Sequence, residues 1–395
     1  MNNTPWTDKE VAAAVRLCKG SGSVEEAIGK IRVELKRSTT PSSLRDVFGR
    51  HGKPAPRDLV KRSAPSVLDL DAAGATMRQR ATDRDVAKLQ AMLLQADANE
   101  RLFRKLGKVP EIKINRSRPK SGKRAATPLS MASDWHVGET VSHEETLGKN
   151  HYDIAEARRR AGNYWDNVLW LRKEAKRTQS CDDHVLNLNG DMISGNIHPE
   201  LSETQCAQLA DQVDECVGMI MPGIAALAAD CRRLLVPCTH GNHGRITEKS
   251  RVKTGWSNSL ETQLYRRLRD RAKDQGLDNV EFYIPRAENL QIDVMGYRLQ
   301  FQHGTQFRSQ GGIGGILVPL VRACTRMQAS VFANYYFFGH FHIACMFEMC
   351  LVNGSLIGDS AYSRAHGMTY REPEQINVVI DEKRGLRRFD PVSVR

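Results

Sequence analysis

Five blocks rich in Asp, Asn, His and Gly, each closing a short apolar run, constrain this chain more than any other feature: Asp134-Trp135-His136, Gly190-Asp191, Gly241-Asn242-His243, His303-Gly304 and Gly339-His340-Phe341-His342. Runs of this kind, alternating with longer helical stretches, describe a layered α/β or α+β domain. Strands are expected over 129–133, 185–189, 233–237, 280–284, 290–302, 335–338, 344–356 and 376–380, and helices over 153–176 and 203–231. Crossover helices cover the faces of such a sheet and leave its strand ends open, so the five blocks are expected to meet at one edge.

The chemistry of the blocks is that of metal ligands. Side chains two apart in a strand share a face, which would let Asp134 converge with His136 and His340 with His342. Mixed carboxylate and imidazole donors suit manganese, iron or zinc better than calcium, which prefers oxygen alone. Gly190, Gly241, Gly304 and Gly339 would leave room where the backbone turns sharply or comes close to a bound ion.

The order D-x-H, G-D, G-N-H, H, G-H-x-H resembles the calcineurin-like metallophosphoesterase superfamily over residues 129 to about 380. The resemblance implies a four-layered sandwich, two mixed sheets face to face with helices outside. It further implies one metal held by Asp134, His136 and His342, a second by Asn242, His303 and His340, and Asp191 bridging the two. His243 would face the leaving group and phosphate as an acid, beside a hydroxide generated between two divalent ions, with manganese expected and iron, zinc or magnesium as alternatives. One position departs from the pattern: the family carries an acid after that histidine, and here stands Gly244. Either another acid supplies that carboxylate in space, or His243 is the poorer acid.

Other residues carry less. His51, His143, His151, His184 and His366 have no motif around them and read as surface or hydrogen-bonded histidines, while His198 and His240 flank blocks and stay ambiguous. Arg245, Lys249 and Arg251 read equally as phosphate contacts or as a solvated basic loop. The glycines at 311, 312, 314 and 315 lack the Lys-Ser/Thr of a phosphate loop and read as a turn. Nine cysteines, without any C-x-x-C pair, indicate reduced thiols. No long uncharged apolar run and no signal-like N-terminus is seen, so no membrane partner and a cytoplasmic location are expected.

Charge separates the N-terminal third from the rest. Residues 1–130 hold 27 of the 58 Lys and Arg but only 14 of the 46 Asp and Glu, leaving 31 against 32 beyond. A localised basic excess suggests a polyanionic partner, with a solubilising linker as the alternative. Three short amphipathic helices are expected over 7–18, 23–35 and 41–50, with capping signals at Thr7/Glu10, Ser23/Glu26 and Thr40-Pro41. They resemble a helix-turn-helix module whose third helix would present Ser42, Ser43, Arg45 and Arg50 to DNA. Residues 53–80 read as a linker, 83–106 as a helix that packs on the catalytic domain or pairs two copies into a homodimer, and 105–124 as a basic tether with eight Lys and Arg, including Arg116, Arg118, Lys120, Lys123 and Arg124.

Three regions are thus expected: a helical module over 1–52, linker, helix and tether over 53–128, and a catalytic domain over 129–395. A basic module ahead of a phosphoesterase site resembles the recombination-repair nuclease branch of the superfamily or a phage-type relative, which implies a metal-dependent DNA phosphodiesterase. The alternatives are a phosphomonoesterase acting on a small molecule or phosphoprotein, and a DNA-binding protein with a structural metal site.

Overall fold

A computed structural model describes residues 6–21, 24–37, 41–51, 112–115, 122–307 and 315–395. The linker over 53–80, the helix over 83–106, Arg116, Arg118, Lys120, the Ser23 cap and the glycines at 311–314 lie outside the described residues. The chain divides into two compact units, residues 1–91 and 92–395.

In the first unit, α1 (Asp8–Lys19), α2 (Val24–Glu34) and α3 (Pro41–Arg50) share a small core of Val11, Ala14, Ile31, Leu44, Val47 and Phe48. Helical spacing puts these residues on facing stripes. The entry to α1 is a capping box: Glu10 N donates to Thr7 Oγ1, and Thr7 N donates to the Glu10 carboxylate at 2.8 Å. Arg37 returns to the same carboxylate at 3.1 Å, tying the segment after α2 to the start of α1.

The second unit is built on two mixed sheets. The larger holds β2 (Arg124–Ala132), β3 (Gln179–Ser180), β4 (Asp183–Leu188), β5 (Arg233–Pro237), β6 (Val280–Tyr283), β12 (Glu374–Asp381) and β13 (Gly385–Ser393), in the order β13-β12-β2-β4-β5-β6 with β3 beside β2. From β2 to β6 the pairing is parallel, and β12 is antiparallel to both of its neighbours. The smaller sheet runs β1 (Lys113–Ile114), β7 (Asn289–Val294), β8 (Tyr297–Gln302), β9 (Tyr335–Phe338), β11 (Cys350–Val352), β10 (Cys345–Phe347).

Strand alternation assigns the faces. Leu129, Met131, Val185, Ile376, Val378 and Ile380 of the larger sheet meet Leu299, Phe301, Phe337 and Leu351 of the smaller one in a shared inner core. The opposite face of the larger sheet is covered by α4 (Ile154–Thr178), α6 (Leu209–Asp230) and α7 (Leu260–Asp274). On the smaller sheet, Tyr336, Phe338, Cys350 and Val352 pack outward against Leu320 and Cys324 of α8 (Leu317–Ser330). The layers are therefore helix, sheet, sheet, helix, the four-layered arrangement expected.

Several boundaries differ from the sequence expectations. The run 290–302 is two strands, because Met295 and Gly296, both at positive φ, make a two-residue turn. The run 344–356 also folds back, at Glu348-Met349. The helix expected over 203–231 is α5 (Pro199–Thr204) and then α6. Helices α7 and α8 and strand β13 went unanticipated, since their amphipathic or interrupted patterns did not resemble the runs beside the motifs.

The tether expectation also needs correction: Ile114 is buried in the inner core, and β2 starts at Arg124, so the sheets begin before residue 129. Helix α6 is long and apolar enough to cross a membrane by length and composition, but it packs inside the fold through Val213, Cys216, Ile220, Ile224 and Leu227.

Candidate metal centre

All five motif blocks lie at one end of the two sheets, in the loops that follow β2, β4, β5, β8 and β9. Three sets of potential ligands result, each with ligating atoms within 4.8 Å of one another: Asp134, His136 and His342; His136, Asp191 and His243; Asp191, His303 and His340. Asn242 lies on the loop between Gly241 and His243, where Thr305 Oγ1 donates to its Oδ1 at 2.9 Å and the next residue, His243, donates its N–H to Asp191 Oδ1 at 2.8 Å.

Convergence does not arise in the way strand alternation suggested. Asp134 and His136 lie beyond the end of β2, and His340 and His342 beyond β9. Asp134, His136, Asp191, His340 and His342 all have positive φ, between 48° and 70°. That region is costly for residues with a Cβ and persists where the surroundings enforce it, which marks the five as held in place by the fold. Two glycines make the loops fit: a Cβ on Gly241 would stand 2.1 Å from Asp191 Oδ1, and one on Gly190 would stand 2.4 Å from Gly241 N. The loops after β4 and β5 thus touch backbone to backbone.

Polar contacts fix each side chain. His303 Nδ1 lies 2.7 Å from Asn189 O, leaving Nε2 aimed at Asp191 Oδ2, 2.9 Å away. Asp134 accepts from His340 N at 2.9 Å and faces His342 Nε2 at 3.3 Å. Beneath Asp134, Asn353 Nδ2 donates to Ser133 Oγ and to Gln375 Oε1, and Ser133 donates to Asp134, so a buried amide network joins β2, β11 and β12 under the site. His243 Nδ1 sits 2.7 Å from Ser194 O, so a backbone carbonyl orients this imidazole.

Electrostatics follow from burial and crowding. Burial, reinforced by His243 and His342, holds His136 well below the ordinary imidazole range; burial takes His340 to about 4 and also lowers His243. Burial alone would raise Asp191, but the imidazoles of His303 and His243 outweigh it and keep the carboxylate ionised. Burial would likewise lower His303, yet Asp191 pushes it up to about 10. His136 and His340 as neutral imidazoles and Asp191 as an ionised carboxylate are in the forms that bind a cation, whereas His303, and His342 which Asp134 also raises, would give up a proton on ligating one.

The donor set fits divalent ions. Nε2 of His136 and Nε2 of His342 point at each other across 3.1 Å, an arrangement that a shared cation satisfies better than a proton on one ring. His136 Nδ1 is buried with no hydrogen-bond partner among the described residues, and Glu139 Oε2 waits 3.7 Å away.

Other candidate residues fall elsewhere. His240 is buried against Glu288 at 3.3 Å, and His198 precedes α5 on the surface. His184 is a core histidine bonded to Ser130. Lys123 donates to Lys176 O and Arg124 pairs with Asp381, both at the end of β2 opposite the candidate metal ligands. Arg245 is turned back on its own loop, donating to Asn242 O and Thr247 O. Ser43 and Arg50 are exposed on α3, and the Arg45 side chain lies outside the described residues.

Sequence reasoning missed Glu139, Ser194, Thr305, Ser133 and Glu261. Glu139, Thr305, Ser133 and Ser194 each lie within three residues of a ligand and so carried a local signal; Glu261 acts through contacts between loops far apart in the chain.

No protein family and no curated protein matches the sequence. Among solved structures, the chain is similar to Vps29 from Entamoeba histolytica complexed with zinc, at 10% identity and TM-score 0.29, covering 68% of this chain and 99% of that one. A hypothetical protein, PH1004, from Pyrococcus horikoshii gives 9% identity and TM-score 0.32 over 68% of this chain and 88% of that one. A protein serine/threonine phosphatase from Saccharomyces cerevisiae gives 11% and 0.28 over 77% and 89%. Values this low leave the chemistry of the site to its own geometry.

Proposed function

We propose that the chain is a metal-dependent phosphoesterase of the calcineurin-like metallophosphoesterase type, acting as a phosphodiesterase on DNA. The observation that carries this reading is the pair of ligand sets, Asp134 with His136 and His342, and Asp191 with His303 and His340, drawn from four separate loops onto one locus. By the motif order Asn242 would complete the second set, and Asp191, whose two oxygens face different partners, is the residue suited to serve both.

Two divalent ions held there would lower the pKa of a water and offset charge on the phosphate oxygens during hydrolysis. The chain's own contribution is position and proton transfer. His243, with Nδ1 committed to Ser194 O, has only Nε2 left to offer a proton to the departing alkoxide as the P–O bond breaks. Burial lowers its pKa, so the donor form is the minority at neutral pH, and good leaving groups should be favoured.

DNA as substrate rests on the basic excess of residues 1–130 and on the exposed α3 face with Ser43 and Arg50. The test is cleavage of single- and double-stranded DNA with manganese, magnesium or EDTA, comparing the intact chain, Asp191→Asn, and a truncation to residues 92–395. A cut at 125 would remove β1 and the first strand residues of β2, so 91 is the informative boundary. Manganese-dependent cleavage that Asp191→Asn abolishes supports the reading. Turnover of a small phosphomonoester without DNA cleavage selects the phosphomonoesterase, and tight DNA binding without either reaction selects a structural metal site.

A further inference from the structure

We propose that Glu261, the second residue of α7, is the carboxylate that positions the Asp191 and Asn242 loops of the metal centre, taking the place of an acid at position 244. The proposal rests on the metal-centre reading of the site and on nothing about the substrate.

Glu261 is fully buried, and its two oxygens are divided between two loops. Oε1 accepts from Met192 N at 2.6 Å, and Oε2 accepts from Gly241 N at 2.6 Å. Met192 directly follows Asp191, and Gly241 directly precedes Asn242, so one side chain ties together the backbones that present both ligands. Both amide N–H groups are buried, so removing the carboxyl that accepts from them leaves two donors unpaired in the interior. The N-terminus of α7, capped by Ser259, adds its own partial positive charge.

The chain delivers Glu261 to this spot through a short pairing. Ile246 N donates to Asn258 O and Leu260 N to Gly244 O, setting the start of α7 against the residues that follow His243. A Cβ at position 244 would stand 2.5 Å from Glu261 Cγ and 3.0 Å from Cδ. Gly244 is not among the glycines at positive φ, so its backbone would accept an ordinary residue; the space would not. A side chain at 244 and the Glu261 side chain are therefore alternative ways of filling one volume. An acid at 244 would point its carboxylate toward the place that the Glu261 carboxylate now fills.

Glu261 is a positioning residue on this view, since it touches neither ligand side chain through its oxygens. The test uses the full chain with three variants, Glu261→Ala, Gly244→Asp, and the two combined. Manganese titration calorimetry reads the centre, and amide exchange at Met192 and Gly241 in EDTA reads the tie without metal. Each single variant should weaken manganese affinity roughly 10–100-fold, the cost typical of losing an outer-shell partner. Glu261→Ala should also speed exchange at both amides. The double variant should recover affinity to within about threefold of the original chain and restore protection, a rescue that a merely structural glutamate would not give.

The idea fails if Glu261→Ala binds manganese like the original chain, or if the double variant is no better than Glu261→Ala. Should Glu261→Ala not fold, the double variant decides alone: folded with near-original affinity supports the proposal, and any other result overturns it. A chain that binds no manganese before mutation would refute the metal reading instead, and the exchange data would still judge the tie.

Discussion

Asp191 Oδ2 lies 2.9 Å from His303 Nε2, although 112 residues separate the two in the chain. The contact joins the loop after β4 in the larger sheet to the loop after β8 in the smaller one, so the inner core and the metal centre are held by the same two sheets. Asp191→Asn keeps the shape and removes the charge. Manganese affinity should then fall by more than the roughly 10–100-fold typical of an outer-shell loss, with metal-dependent hydrolysis falling at least in step. Calorimetric titration checks the first and a phosphodiester assay the second; unchanged manganese binding would remove Asp191 from the centre.

Gly241 has no room for a side chain. Its Cβ would meet Asp191 Oδ1 at 2.1 Å and Asp191 N at 2.4 Å, and both atoms belong to a loop already held at positive φ. Gly241→Ala is expected to cost on the order of 1–3 kcal/mol of stability and to abolish ordered metal binding. Thermal unfolding in EDTA and manganese titration measure the two effects. A variant with the original melting temperature and full metal content would contradict the packing described.

Acid should weaken the first unit before its core is touched. The Arg37 guanidinium, together with Thr7, holds the Glu10 carboxyl at about 2 instead of its ordinary 4.5. A depressed carboxyl contributes stability that is complete above about 4.5 and is lost as pH falls toward about 2. Exchange protection of the Val11 amide, which donates to Thr7 O, should decline over that window. Glu10→Gln should remove the pH dependence and be less protected near pH 6. Equal protection in both proteins at pH 6 would show that the capping box contributes nothing.

Basic residues should divide into two groups in DNA binding. Arg50 is exposed on α3, and its Ala variant is expected to weaken binding and lower the salt slope by about 1. Lys123 and Arg124 are occupied at the far end of β2, roughly 30 Å from the ligands by strand rise, and their Ala variants should leave catalysis intact. Fluorescence anisotropy against salt concentration, with a parallel hydrolysis assay, separates the two. Lost hydrolysis in Lys123→Ala with the fold preserved would mean that the substrate path runs along β2.

Much of the layered fold was legible because burial on both faces writes itself into strands as dense apolar runs, as in 233–237 and 335–338. The hairpins at Met295-Gly296 and Glu348-Met349 were not, since a two-residue turn inside an apolar run interrupts too little of the pattern. Helix α7 was missed for a related reason: its charged outer face outweighs the stripe of Leu264, Tyr265, Leu268 and Ala272 that it buries.

What the sequence alone determined is the inventory of candidate ligands and their order, because donor chemistry belongs to residue type and the motif blocks are contiguous. Tertiary structure alone decided how they meet: by left-handed backbone at Asp134, His136, Asp191, His340 and His342, not by strand alternation. It also decided that Ser194 orients His243 and that Glu261 fills the space beside Gly244. Such contacts join loops tens of residues apart, and their geometry exists only once the two sheets have packed, so no local pattern in the chain can encode it.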